Sequence, residues 1–231
     1  MMKRSAVIGG ALVALCFAGA APAVAGSGGN SWCKAEKAPR IEVKTSTDQV
    51  TWDFTKSEKQ LNNFKIDTKN PYGSSIITDV GGLMQGGIQL KETMRFNTLT
   101  HRGLNQICYW FDAVTVTLHI EPTIYIAREF PRNSCKHNAI KEHEMKHITV
   151  DREIVNKYAT VIARSLKTEL DRQTVYGPYR VSQSKEVEIY MKDRLESILR
   201  KHAKEMEDER RVRQQAVDSL AEYERVNRMC R

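Results

Sequence analysis

Five residues near the middle of the chain have the types and spacing of a metal-centred hydrolytic site: His143-Glu144-Met145-Lys146-His147, which reads HExxH. On an α-helix, residues four apart lie one turn apart on the same face, so two imidazoles can reach one ion. Glu144 is the neighbour of the first ligand, close enough to take a proton from a zinc-activated water without ligating the metal. Zinc lowers the pKa of such a water toward neutrality, and a carboxylate can then make it a nucleophile. The pattern therefore predicts Zn²⁺ held by His143 and His147, with Glu144 as general base.

The elements around the motif must deliver it in this form. Upstream, Val114 to Phe130 is apolar and strand-like, and Pro131-Arg132-Asn133-Ser134 reads as a turn. A helical period follows through Ile140, Ile148, Ile154, Val155, Tyr158 and Ile162. Asn138 to Thr174 contains no Gly or Pro, enough for about ten turns. Tyr176-Gly177-Pro178-Tyr179 breaks that helix. Residues 184–229 are again free of Gly and Pro, with an apolar stripe through Val187, Met191, Leu195, Leu199 and Met206. A short link between two long helices predicts an antiparallel hairpin. The charge-rich stretch Arg200 to Arg213 reads as a solvated face with i,i+4 pairs.

A catalytic zinc usually has three protein ligands and an open position, so a third donor is needed. Asp151 continues the spacing of four, but eight residues of helix rise about 12 Å, too far for ligands of one ion. Asp151 is expected instead either to accept from the free ring nitrogen of His147 or to stand exposed and pair with a Lys or Arg one turn away. Glu153 occupies the place of the third histidine in the longer HExxHxxGxxH motif. With Val150 where that motif has glycine, the helix should run on and turn Glu153 away. The third ligand is then expected from another element. If the hairpin closes near Gly177, the returning arm passes the motif between His202 and Asp218. The candidates are His202, Glu205, Glu207 and Glu209 on that arm, and His101, His119 and His137 from the sheet side.

The N-terminal half alternates apolar and polar residues at Ile41, Val43, Val50, Trp52 and Phe54 and again at Ile88, Leu90, Met94 and Phe96. With the β-branched and aromatic runs 107–111, 114–120 and 123–127, it predicts an antiparallel meander. The expected architecture is α+β, with an antiparallel β-rich region over 26–136 and a helical hairpin over 137–231 forming one zincin-like unit. Residues 1–25 read as a cleavable secretory signal: Lys3 and Arg4, an uncharged apolar run from Ala6 to Ala20, and Ala23-Val24-Ala25 before Gly26. Export to the periplasm or outside the cell follows, without stable membrane insertion. Removing Lys3 and Arg4 lowers the formal charge from +8 to +6, and the many acids among the bases give no reason to expect nucleic acid. Four cysteines remain, Cys33, Cys108, Cys135 and Cys230, and four allow three pairings. Cys108–Cys135 and Cys33–Cys230 are preferred, the first tying a strand to the motif helix and the second joining the chain ends.

Pro131, the following cysteine and Ala139-Ile140-Lys141-Glu142-His143-Glu144-Met145-Lys146-His147 resemble the bacterial predicted secreted zinc-dependent proteases, a domain family of otherwise unknown function. The resemblance covers roughly the sheet and the first long helix. It implies metal binding by His143 and His147 and a catalytic role for Glu144. The sequence thus leads to a secreted or periplasmic zinc metallopeptidase acting on a peptide or protein substrate. A strand near Thr123 to Phe130 is expected to offer its edge to the extended substrate. The alternative is a non-catalytic, disulfide-tied envelope protein whose C-terminal helical arm binds a partner or oligomerises.

Overall fold

Among the described residues, three long strands, each bent once, and one short strand form the β part. In the computed structural model, which describes residues 32–65, 68–73 and 79–230, β1 (Arg40–Thr47) is followed by β2 (Thr51–Asp53), β3 (Gly82–Gln85) by β4 (Ile88–His101), and β5 (Gln106–Ile120) by β6 (Thr123–Ile126). A helical turn, α1 (Glu58–Leu61), lies between β2 and β3. The signal-like residues 1–25 and the glycine-rich run behind them lie outside the described residues. Each bend falls at turn-forming residues: Asp48, Gly86-Gly87 and Glu121-Pro122. Beyond the bends the same neighbours pair again, so β1–β5–β4 continues as β2–β6–β3.

The α+β class is as expected, but the sheet is not wholly antiparallel. β4 and β3 run antiparallel to β5 and β6, whereas β1 pairs parallel with β5 (Arg40 opposite Ala113) and β2 parallel with β6. Alternation within a strand does not encode the direction of its neighbour, and the long connection between β2 and β3 permits the parallel return. The runs 107–111 and 114–120 form one strand, β5, which is buried along most of its length and is the centre of the sheet. β6 is likewise central, with β2 on one side and β3 on the other. The segment expected to offer an edge to substrate therefore has neither edge free, and the nearest true edge is β3.

Helix α2 (Cys135–Arg172) starts at Ser134, whose hydroxyl accepts from the backbone N–H of His137. Its 38 residues reach about 57 Å, long enough to cross both halves of the sheet. Near its start, Ala139, Ile140 and Ile148 pack with Ile124 and Ile126 of β6. Farther on, Ile154, Tyr158, Ile162 and Leu166 join the main core of β5 and α3 (Ser184–Val217). The two helices run antiparallel: Glu169 meets Arg194, Ser165 meets His202, Lys157 meets Glu209 and Glu153 meets Arg213. Their link is more than a turn. Tyr176–Arg180 forms β7, which pairs with the first residues of β5.

The second arm breaks at Asp218-Ser219, and α4 (Leu220–Arg228) follows. Ser219 caps it by accepting from the backbone N–H of Glu222. No helix among the described residues is long and apolar enough to cross a membrane.

Among the described residues two disulfides close the fold, Cys33–Cys108 and Cys135–Cys230, with Cα separations of 5.9 and 5.6 Å. This corrects the preferred pairing of Cys108 with Cys135 and Cys33 with Cys230. Cys108 is near the start of β5, so the strand carries it about 40 Å from Ile120. The chain then enters β6 and α2, leaving Cys135 beyond disulfide reach of Cys108.

Candidate metal centre

The site forms where the first third of α2 meets β3 and the junction of α3 with α4. His143, Glu144 and His147 are all buried, with exposures of 8, 4 and 7%. Burial of three polar side chains on one helix is costly unless each finds a partner. All three find one.

Both imidazoles turn Nε2 toward the same atom. His143 Nε2 lies 3.1 Å and His147 Nε2 3.3 Å from Oδ1 of Asp218. The opposite ring nitrogens are held from behind. His147 Nδ1 is 2.5 Å from Oε1 of Gln214, and His143 Nδ1 is 3.4 Å from Oε1 of Glu222. An acceptor behind each Nδ1 keeps a proton on that nitrogen, so that Nε2, which donates to Asp218 while the ring is charged, is the nitrogen left with a lone pair when the ring is neutral. Gln214 is itself fixed, donating from Nε2 to the His147 carbonyl and to Oδ1 of Asp151. Asp151 is fully buried and accepts from Nε of Arg210 at 2.8 Å. Arg210 in turn donates to the carbonyl of Gly86 at the bend between β3 and β4.

The donor set fits zinc. Tetrahedral ligands at the usual zinc distances lie about 3.3 Å from one another, close to the two separations already present. The three donor atoms fall within 4.8 Å of one another. Two neutral imidazoles and one carboxylate would make three protein ligands and would leave one position open, as in catalytic zinc sites.

In the protein alone these groups act as an ion cluster. Burial opposes charge on His147, but hydrogen bonding to Asp218 and the charges of Glu144 and Asp218 prevail, and its pKa is pushed up to about 9. His143 is raised against the same burial cost, through its bond to Asp218 and the Glu144 charge. Asp218, despite burial, is held far below the usual carboxylate range by its hydrogen bonds to the two histidines. The Thr68 hydroxyl also donates to it. Glu144 moves the other way, since its burial outweighs the two histidines and the Met84 N–H that donates to it.

Glu144 reaches that N–H because β3 lies almost against α2. A Cβ at Gly82 would sit 2.3 Å from Cγ2 of Ile140 and 2.9 Å from Oε1 of Glu144. The Gly81-Gly82 pair, which reads as a breaker, therefore serves close approach. Two clefts meet at His143 and Glu144. One, about 220 Å³, runs between Phe130, Ile140, Tyr72 and Val226. The other, about 120 Å³, runs past Met84, Thr68 and Gln214, and Tyr223 lines both. Burial and the charges of Asp218 and Glu144 hold the Tyr223 phenol well above its usual range.

Of the residues named from the sequence, His143, Glu144 and His147 are brought together, and the candidates for third donor are not. His202 bonds Ser165 and Glu205, Glu207 lies 3.8 Å from Arg210, and Glu209 pairs with Lys157. On the sheet side, His101 accepts from the Leu104 N–H, His119 sits beside Ser46, Asp48 and Glu121, and His137 is near the Phe130 carbonyl. The donor that converges is Asp218. A hairpin folded about Gly177 puts His147 opposite the stretch near Glu207. Pairing β7 with the sheet draws the link out, so α3 must run about three turns farther to meet the motif. Asp151 supports His147 through Gln214, not directly. Glu153 pairs at the surface with Arg213.

Asp218, Gln214, Glu222 and Tyr223 were missed because residues 184–229 carry no Gly or Pro and read as one helix. A signal was present. Ser219-Leu220-Ala221-Glu222 has the S-x-x-E form of a capping box, which marks a new helix start and hence a break at Asp218. The Glu222 side chain turns instead to His143, Lys146 and Arg225. No family model matches this chain, and neither a curated protein nor a solved structure is similar to it.

Proposed function

We propose that this protein is a zinc-dependent metallopeptidase, exported to the periplasm or beyond, where its two disulfides persist. His143, His147 and Asp218 would hold the metal. The observation that carries the reading is the convergence of both Nε2 atoms on one Asp218 oxygen while each Nδ1 is engaged elsewhere. Bound zinc would supply Lewis-acid activation of a water and of the scissile carbonyl.

The rest is work for the chain's own side chains. Glu144 takes the proton of the attacking water and returns it to the departing amine, as a buried carboxylate with a raised pKa suits. The Met84 N–H fixes the orientation of that carboxylate from β3. The two clefts give an extended peptide a path on either side of the reacting bond, along walls that limit water. The alternative of a free helical arm has less to recommend it. The apolar stripe of α3 is used against α2 and the sheet through Val187, Met191, Leu195, Leu199 and Met206.

The test is the purified protein assayed for zinc and for cleavage of labelled casein. Wild type should carry one zinc per chain and cleave. Glu144→Gln should keep the zinc and lose at least about a hundredfold in rate. Full activity in Glu144→Gln, or wild type without zinc, would refute the proposal.

A further inference from the structure

We propose that the Tyr223 hydroxyl is a catalytic hydrogen-bond donor to the carbonyl oxygen of the scissile peptide as negative charge develops on it. The inference rests on the metallopeptidase reading and adds a residue that no sequence motif points to. Three observations carry it. Tyr223 lines both clefts, so it stands where they meet, beside His143 and Glu144. Its ring packs edge-on against His143, with centroids 5.7 Å apart, and makes a second edge contact with Tyr72. Among the described residues its hydroxyl makes no hydrogen bond, whereas other donors around the histidine pair are committed. Lys146 is paired with Glu222, Arg225 with Glu222 and Glu142, Arg210 with Asp151, and Thr68 with Asp218.

A half-buried phenol held by two aromatic contacts keeps its hydroxyl free to meet an oxygen bound in the cleft. It gains a strong acceptor only when an oxygen in the cleft acquires charge, which is the condition for stabilising a transition state over a ground state. No proton need be transferred: the hydroxyl keeps its hydrogen and shortens its bond to the carbonyl oxygen as the water oxygen adds to the carbon. Glu144 lies on the same rim and handles the proton, so the two side chains divide the work between electrophile and base. Tyr223 can do this because α4 begins a new helix at Ser219; a straight continuation of α3 would present residue 223 in another direction.

The test compares wild type with Tyr223→Phe, which keeps the ring against His143 and removes only the hydroxyl. For labelled casein, the variant should lose about 10²- to 10³-fold in kcat with KM nearly unchanged, the effect of removing one such donor. Zinc content and circular dichroism should match wild type. Binding of an N-phosphoryl dipeptide, whose tetrahedral oxyanion mimics the charged state, should weaken, while binding of the unphosphorylated dipeptide should not. Equal kcat in wild type and variant overturns the role of Tyr223 and leaves the peptidase reading standing. An equal fall in binding of both dipeptides, or a lost zinc, assigns Tyr223 to packing and overturns it too. A wild type that neither holds zinc nor cleaves overturns both.

Discussion

Replacing Asp218 by Asn should weaken zinc binding by an amount that depends on pH. Zinc sites with four protein ligands bind with about 10–16 kcal/mol, so one ligand contributes roughly 3 kcal/mol. The wild type also works against itself: Asp218, helped by the Glu144 charge, raises His147 to a pKa of about 9, and zinc must displace that proton. At pH 7.5 the displacement costs about 2 kcal/mol, from one and a half pH units at 1.36 kcal/mol each. The variant escapes most of this cost, because it loses the carboxylate that does most to hold the proton on His147 against burial. The net deficit of Asp218→Asn should therefore be about 1 kcal/mol at pH 7.5, roughly fivefold in Kd, and should approach a hundredfold at pH 9. Competition with a chromophoric chelator across that pH range measures it, with Glu205→Gln as the control that should not move. An affinity unchanged at pH 9, or a deficit independent of pH, would refute both the ligand assignment and the electrostatics behind it.

The same proton linkage is visible without mutation. His143 and His147 are raised in the metal-free fold, so their contribution to stability is complete below pH 6.5 and falls away at higher pH, that of His147 as pH rises through about 9. Zinc binding near neutral pH should release about one to two protons, read by calorimetry in buffers of different ionisation enthalpy; no release would contradict it. Arg210→Ala strands the fully buried Asp151 and should cost about 3–5 kcal/mol in urea unfolding. A loss under 1 kcal/mol would mean that the pair is not isolated from water. Cys135→Ser with Cys230→Ser should leave the main core folded but loosen α4, which has nine residues and one buried apolar side chain, Val226. Zinc affinity should then fall about tenfold as Glu222 loses its hold on His143, and a Kd equal to wild type would show that α4 is held by its other contacts.

The amino-acid sequence determined what is periodic or local. The spacing of four places His143 and His147 on one face of a helix, and the stripe from Ile140 to Ile162 buries that face whatever lies opposite. The alternation in 88–98 and the β-branched run of 107–127 likewise make strands without reference to their neighbours. The tertiary structure decided what depends on the placing of one element against another. Whether β1 lies parallel to β5 is set by where the chain returns, not by its own side chains. Cys108 pairs with Cys33 because the twelve residues of β5 that follow it separate it from Cys135. The carboxylate that meets the two imidazoles is Asp218, and not a residue near Glu207, because pairing β7 with β5 shifts the register of the two long helices. In a helix each residue turns the side chain by about 100°, so a shift in that link replaces the whole set of groups facing the motif. A helix states which of its own residues share a face; only the packed fold states what that face meets.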